Sequence, residues 1–175
     1  MALTTPIDET PEAVRAALAP LRNDFSVAIY NCQNAFAVGA IIRVAHSFLA
    51  REIFVIGDEP YYQKASMGME KYETLVKVPD AAALFGDPRA IGRPLWAVEK
   101  DHARRSLYAV DAFPAGVIFV FGSERAGLPA EIVARADEVL GIPMYGVNHS
   151  FPVTVAAGIV MSEWARQRYR DGATM

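Results

Sequence analysis

The chain has 175 residues, a hydrophobic fraction of 53% and a formal net charge of −3. This length fits one domain with a sizeable core, and the sequence has neither an apolar run near twenty residues nor a basic and apolar leader, so we expect a cytoplasmic protein without a membrane span. The acidic balance excludes broad electrostatic capture of nucleic acid, and any RNA binding therefore needs a local cluster of Lys and Arg.

The hydrophobic pattern of the first half predicts helices and strands that alternate. In chain order these are a helix at 10–19 that Pro20 ends, a strand at 25–30, a helix at 38–49 and a strand at 52–56. The strand, helix, strand order indicates a parallel pair with a right-handed crossover. We therefore expect an α/β fold built on a parallel sheet.

The second half continues this alternation and has no repeats or linkers. Its predicted elements are a loop or short helix at 59–72, strands at 75–78, 95–99, 117–121 and 138–142, a strand or helical turn at 106–110, and helices at 80–84, 129–135 and 153–169. Asp80 is the expected cap of the first of these helices, and Asn148, His149 and Ser150 are possible caps of the last.

The run FVFGSERAGLP at 119–129 carries the strongest sign of a binding site. An apolar strand stops at Gly122, where the missing side chain permits a sharp turn or a close approach to a ligand. Ligands of open α/β sheets lie outside the carboxyl ends of the strands, so the charged loop at 123–125 is expected beside a ligand. A strand that is followed by a glycine, a loop and a helix is also common in proteins without a binding site there. This run alone therefore favours a site only slightly.

Several familiar chemistries are not supported. The chain has no glycine-rich dinucleotide or Walker motif, and Ser123 and Ser150 lack the glycines of a nucleophile elbow. The single Cys32 has no Cys or His neighbours at metal-ligand spacing, so we expect no disulfide and no metal site.

Three segments together resemble the TrmH-like (SpoU) RNA ribose 2′-O-methyltransferases of the SPOUT superfamily. They are VGAIIRVA at 38–45, FGSERAGLP at 121–129 and the stretch from Ile142 to Gly158. The resemblance implies a single-domain parallel-sheet α/β fold with a C-terminal trefoil knot, at 25–172 after an N-terminal extension at 1–24. It also implies S-adenosylmethionine as cofactor, RNA as substrate, with tRNA favoured over rRNA, and a homodimer.

The resemblance also assigns roles to residues. Gly122, Ile142, Met144, Ser150 and Phe151 fall where the family holds the cofactor, largely through backbone groups. Arg43 matches the catalytic arginine and Glu124 the glutamate of the second motif, while Asn34, Arg43 and Arg125 are the expected RNA contacts. Because arginine stays protonated, we expect Arg43 to bind the phosphate and orient the 2′-hydroxyl rather than to act as a simple base. Core packing remains an alternative reading of Ile142 and Met144.

The chain departs from the family pattern at two positions. Ala37 and Pro152 stand where the family usually has asparagine, and nearby Asn34 or Asn148 would have to supply an amide from a shifted position. The alternative function is therefore a catalytically weakened RNA-binding homologue of the same fold. An rRNA 2′-O-methyltransferase is the alternative within the same chemistry.

RNA binding and assembly rest on surface residues. The candidate basic clusters are Lys64 with Lys71, the run at 100–105, and Arg166, Arg168 and Arg170. The resemblance places the last helix at a two-fold axis, where Val155, Ile159 and Trp164 offer an apolar face. The core of a monomer could use the same three residues.

Overall fold

A computed structural model describes residues 9–31, 35–124 and 126–169 of the chain. Cys32, Asn34, Arg125 and Arg170, which the sequence analysis singled out, lie outside the described residues. Within the described part, no helix has the length and apolar character that spanning a bilayer demands.

The described residues form a parallel sheet with helices on both faces. The strands are β1 (Ser26–Tyr30), β2 (Ile53–Ile56), β3 (Leu75–Val78), β4 (Leu95–Val98), β5 (Arg105–Ser106), β6 (Ile118–Phe121) and β7 (Glu138–Gly141). The helices are α1 (Pro11–Leu18), α2 (Ala35–Ser47), α3 (Ala81–Gly86), α4 (Ala130–Arg135) and α5 (Val153–Arg168). These bounds confirm the predicted alternation of elements.

Two segments that the sequence left open are now assigned. The stretch at 59–72 contains two 3₁₀ turns, Gln63–Ser66 and Met69–Tyr72. The stretch at 106–110 is both of the predicted alternatives, because the two-residue strand β5 runs into a 3₁₀ turn at Leu107–Ala109.

The strand order in the sheet is β3-β2-β1-β6-β4-β7-β5, and every pairing is parallel. The predicted parallel pair is confirmed, since β1 aligns Val27 with Ile53 of β2. The chain first builds outward from β1 to β3 and then crosses to the other side of β1. The carboxyl ends of β1, β6, β4 and β7 therefore lie side by side, which is where open α/β sheets bind ligands.

The core has two layers because side chains of a strand alternate between the faces of the sheet. Val27 and Ile29 of β1 face α2 and α5, whereas Ala28 between them faces the side of α3 and α4. Every residue of β2 and β6 is buried, as the continuous apolar runs predicted.

The face predicted for assembly is only partly available. Trp164 is 3% exposed, and its ring centroid lies 4.5 Å from that of Phe25 inside the core. Ile159 is half-buried and packs against the same cluster, while Val155 is 45% exposed. Of the two alternatives that the sequence left open for Trp164, the structure supports packing in the chain's own core.

A buried polar cluster joins strands at the amino end of the sheet. Ser26 Oγ donates to Glu52 Oε2 over 2.6 Å, and the Arg93 guanidinium donates to Glu52 Oε2 over 3.0 Å and to Ser26 Oγ over 2.8 Å. Arg93 also donates to the carbonyl of Gly116 over 2.7 Å. The cluster ties β1 and β2 to the loop before β6.

Removing Arg93 should destabilise the fold more than removing an exposed arginine. We expect Arg93→Ala to lower the free energy of unfolding by about 2 kcal/mol, because Glu52 would lose a partner in a site that excludes most water. In the control Arg89→Ala the loss should stay below about 1 kcal/mol, because that side chain is 48% exposed beside Asp87. Urea unfolding followed by circular dichroism measures both, and equal losses would contradict a structural role for the cluster.

Candidate active site

A cavity of about 450 Å³ lies at the carboxyl ends of β4, β6 and β7, where the first turn of α5 closes it. Its volume is in the range of small-molecule sites. All five predicted cofactor residues line it together with Glu124, which was predicted to be catalytic: Gly122, Ile142, Met144, Ser150 and Phe151. These six residues, which span positions 122 to 151 of the sequence, thus meet around one space.

The loop after β6 is folded tightly on itself. Ser123 and Gly127 exchange two backbone hydrogen bonds, of 3.0 and 2.9 Å, and Ser123 Oγ accepts a third from the Ala126 amide over 3.0 Å. A Cβ at Gly122 would lie 2.5 Å from the carbonyl carbon of Gly127 and 2.8 Å from the Leu128 amide. Gly122 is therefore needed for backbone to pass backbone.

Glu99 is a site residue that the sequence reasoning missed. It follows β4, and its Oε1 accepts from the amides of Lys100 over 2.8 Å and Asp101 over 3.4 Å. Its Oε2 accepts from the Leu128 amide over 3.2 Å, so one carboxylate links the loop after β4 to the loop after β6. The available signal was an acidic residue at the carboxyl end of a buried strand.

Removing this link should loosen the wall of the cavity. We expect Glu99→Ala to weaken cofactor binding about tenfold, because three backbone amides would lose a charged acceptor. Each such hydrogen bond is worth about 1.5–3 kcal/mol, and water molecules that replace the carboxylate would recover part of this free energy. Asp101→Ala is the matched control: this acid also lines the cavity, but its side chain is 67% exposed and pairs with Lys100. Calorimetric titration with S-adenosylmethionine measures both, and equal affinities in the two variants would contradict the role of Glu99.

Glu124 joins the same loop to α5. Its Oε1 accepts from the Val153 amide over 3.3 Å, at the first residue of the helix. The predicted caps Asn148, His149 and Ser150 do not serve that end, since Pro152 occupies the cap position without a side-chain bond. A carboxylate at the positive end of the helix dipole is electrostatically favourable. Glu124 is thus a structural link as well as a residue of the cavity wall.

Arg43 is not brought to this cavity. It lies on the exposed face of α2 and is absent from the described residues that line the space. Helix α2 nevertheless packs against α5, because a Cβ added at Gly158 of α5 would lie 4.0 Å from Cγ1 of Val44, the residue next to Arg43. The two residues predicted to be catalytic, Arg43 and Glu124, therefore belong to separate surfaces of one chain.

The two departures from the family pattern have plain structural positions. Ala37 is 5% exposed and lies in the first turn of α2. Pro152 is exposed and lies at the N-cap position before α5, where its φ of −52° is within the range that the proline ring permits. Asn148, one of the two suggested sources of a replacement amide, is exposed in the loop after β7.

Most arginines of the candidate basic clusters are already engaged. Arg104 donates to the carbonyls of Val133 and Ala136 at the end of α4, and Arg105 pairs with Glu138. Arg166 pairs with Glu163, and Arg168 lies 5.0 Å over the ring of Trp164. Lys64 and Lys71 are exposed, which leaves their cluster the most open of the three.

The chemistry of the cavity suits a cationic ligand with an apolar portion. Its described wall carries the carboxylates Glu99 and Glu124, whereas the exposed Asp101 is paired with Lys100, and it has apolar side chains such as Leu128 and Leu140. The described residues contain no group of three or more His, Cys, Asp or Glu that could hold a metal ion. A sulfonium cofactor bearing an adenine fits this wall.

The model of the SpoU rRNA Methylase family matches residues 24–162. A tRNA (guanosine(18)-2′-O)-methyltransferase of Thermus thermophilus is 28% identical over 152 residues, which are 85% of this chain and 78% of that protein. The crystal structure of a TrmH/SpoU tRNA modifying enzyme from A. aeolicus superposes with a TM-score of 0.77 at 26% identity, over 93% of this chain and 84% of that one. The SpoU methyltransferase AviRb of Streptomyces viridochromogenes, solved with AdoMet, superposes with a TM-score of 0.74 at 26% identity, over 94% of this chain and 63% of that one.

Proposed function

Because the chain belongs to the SpoU rRNA Methylase family, we propose that it methylates the ribose 2′-hydroxyl of a tRNA nucleotide. The enzyme is an S-adenosylmethionine-dependent RNA methyltransferase of the SPOUT superfamily. The observation that supports the proposal most is the cavity itself, where the tight turn at Gly122 meets the loops after β4 and β7.

Different residues of the cavity would contact different parts of the cofactor. Gly122, Ile142 and Met144 would present backbone groups and apolar surface to the adenine, and Ser150 and Phe151 would close the opposite side. When bound, S-adenosylmethionine supplies a methyl group on an electron-poor sulfur. The carboxylates of Glu99 and Glu124 would offset the positive charge, because opposite charges attract strongly where water is scarce.

Arg43 would act on the RNA. Its guanidinium has five donors in a planar fork that matches a phosphate, and it remains protonated. Bound to the phosphate beside the target ribose, it would hold the 2′-hydroxyl in line with the methyl group and stabilise the negative charge that grows on that oxygen.

A homodimer is the arrangement that brings Arg43 to a cavity. Arg43 lies outside the cavity of its own chain, and the partly exposed Val155 on α5 offers an apolar contact near the same helix pair. We further propose that residues 25–172 form the methyltransferase domain after an N-terminal extension, that its C-terminal part is threaded as a trefoil knot, and that the protein works in the cytoplasm.

Assembly and salt dependence are linked in this proposal. A dimer places two copies of each basic cluster beside a cavity and concentrates phosphate contacts in a protein whose net charge is −3. We expect sedimentation to give a dimer at micromolar concentration, and tRNA affinity to fall steeply between 50 and 200 mM salt, by about 10²-fold or more. A stable monomer that methylates tRNA at full rate would contradict both.

The main experiment separates the enzyme from a weakened homologue, which the substitutions at Ala37 and Pro152 keep open. Purified protein is incubated with radiolabelled S-adenosylmethionine and either total tRNA or ribosomal RNA. Label in tRNA supports the proposal, and label confined to ribosomal RNA supports the rRNA alternative. Cofactor binding with no label in either RNA would favour the catalytically weakened homologue.

A further inference from the structure

An open pair of aromatic side chains lies at the start of α2 and takes no part in the cavity. Phe36 is 61% exposed and Tyr62 is 50% exposed. Their ring centroids are 6.3 Å apart, and the ring planes are within 20° of parallel, so the two rings form a stacked aromatic pair. Two large rings this open gain little from packing within the chain, which makes them a candidate binding surface.

The backbone holds this pair in place. The Tyr62 amide donates to the carbonyl of Ala35 over 2.9 Å, and the Tyr62 carbonyl accepts from the Ala65 amide over 3.1 Å. A Cβ at Gly39 would lie 2.6 Å from the same Tyr62 oxygen, so the glycine lets the loop rest directly on α2. A surface that is already ordered binds at a low entropic cost.

The pair lies on the same edge of the sheet as the cavity. Phe36 comes shortly after β1, Tyr62 comes after β2, and β1 is hydrogen-bonded to β6, which ends beside Gly122. Arg43, which the proposed dimer brings to a cavity, follows Phe36 by two helical turns and is exposed on the same face of α2. The pair would therefore lie beside the nucleotide that Arg43 holds.

We propose that Phe36 and Tyr62 form a stacking platform for an unpaired base of the RNA, next to the nucleotide whose ribose is methylated. The inference rests on the proposed function and deepens it, since it requires the substrate to offer a single-stranded base. Aromatic side chains hold unpaired bases by stacking on their faces, and this is tolerant of sequence. On the same loop the exposed carboxylates of Asp58 and Glu59 oppose the exposed charge of Lys64, so charge adds little there and stacking has to supply much of the local affinity.

A second copy of this chain is the other possible occupant, and the surroundings favour RNA. The core of a protein interface is a continuous apolar patch, and a stable interface buries about 800 Å² on each partner. On the Tyr62 side, the exposed residues along the loop are mostly polar, namely Asp58, Glu59, Gln63 and Lys64, with Pro60 and Met67 as the apolar exceptions. Two rings within a polar border suit a single base better than an extended protein surface.

The test compares two probes that carry equal charge. Affinity is measured by fluorescence anisotropy for a short oligoadenylate and for an abasic oligomer of the same length, with wild type and with Phe36→Leu/Tyr62→Leu. We expect the wild type to bind the base-bearing probe about tenfold more tightly, because stacking is worth about 1–3 kcal/mol per base. The double variant should bind both probes equally. Tyr108→Leu, which removes a 57% exposed ring next to β5 at the far edge of the sheet, should keep the preference.

A single variant and a kinetic measurement complete the test. The single variant Phe36→Leu leaves the Tyr62 loop intact and should lose part of the preference without a change in thermal unfolding. With tRNA, the double variant should raise KM about tenfold and change kcat little, since the base contact is the same in ground and transition states.

A wild type without preference for the base-bearing probe, or a double variant that keeps this preference, would overturn the proposal of a stacking platform. Loss of the dimer in the double variant would also overturn it and assign the pair to a protein contact.

The design separates this inference from the proposed function. The anisotropy measurement needs neither cofactor nor turnover, so it gives a result even if the protein methylates nothing. Conversely, an active enzyme with no base preference would leave the methyltransferase intact and remove only the platform.

Discussion

Replacing Arg43 with alanine should lower kcat with tRNA by about 100-fold or more while the affinity for S-adenosylmethionine stays unchanged. A preorganised charged donor at the reacting phosphate and hydroxyl is worth about 10²–10³ in rate. The cofactor affinity should not change, because the described wall of the cavity in the same chain does not include Arg43. The fold should hold too, since the side chain is exposed on α2. Single-turnover methylation and calorimetric titration measure the two effects.

Two control variants sharpen this result. Arg43→Lys keeps the charge but loses the planar fork, so it should recover only part of the rate. Arg89→Ala removes a half-exposed arginine that is paired with Asp87 and should leave the rate unchanged. Full activity in Arg43→Ala with native tRNA would remove this residue from the mechanism.

Replacing Gly122 with alanine should abolish useful cofactor binding. The added Cβ would lie 2.5 and 2.6 Å from the carbonyl carbon and oxygen of Gly127 and 2.8 Å from the Leu128 amide, all of them backbone atoms. Relief requires the Ser123–Gly127 backbone pair to separate, so we expect the free energy of unfolding to fall by about 3 kcal/mol. The affinity for S-adenosylmethionine should fall about 100-fold, which corresponds to a similar free energy. Calorimetric titration and urea unfolding measure the two quantities.

The matched control is Gly86→Ala at the end of α3, where nothing lies within 4 Å of the added Cβ. This variant should retain both cofactor affinity and stability. If Gly122→Ala bound the cofactor as well as Gly86→Ala does, the tight turn after β6 would not be part of the site.

The sequence predicted the sheet well because its strands are short apolar runs with clear ends. The strand β3 has the predicted bounds 75–78, and Asp80 caps α3 by accepting from the Ala83 amide over 2.8 Å. Both features depend on neighbours in sequence. The loop at Gly122 was also anticipated, since a glycine after a buried strand is itself the local signal.

What the sequence did not predict depends on contacts between distant segments. Glu99 acquires its role from an amide 29 positions away, and Glu124 replaces the three local candidates for the cap of α5. Trp164 lies on an apolar face of α5, and such a face suits a dimer interface as well as a core. The hydrophobic pattern could therefore not decide whether Trp164 contacts a partner or packs beside Phe25. Position on a helix likewise did not tell whether Arg43 reaches the cavity of its own chain.

The most direct test of the account is the chemical identity of the methylated product. Total tRNA is methylated in vitro by wild type and by Arg43→Ala with S-adenosylmethionine that carries an isotope-labelled methyl group, so that only newly added methyl groups are followed. The RNA is digested to nucleosides and analysed by mass spectrometry, and an alkaline digest is run in parallel because a 2′-O-methyl group blocks cleavage of the adjacent phosphodiester. The account predicts a ribose-methylated nucleoside, an alkali-resistant dinucleotide from the wild type, and little of either from the variant. A methyl group found on a base, with the RNA backbone still sensitive to alkali, would contradict it.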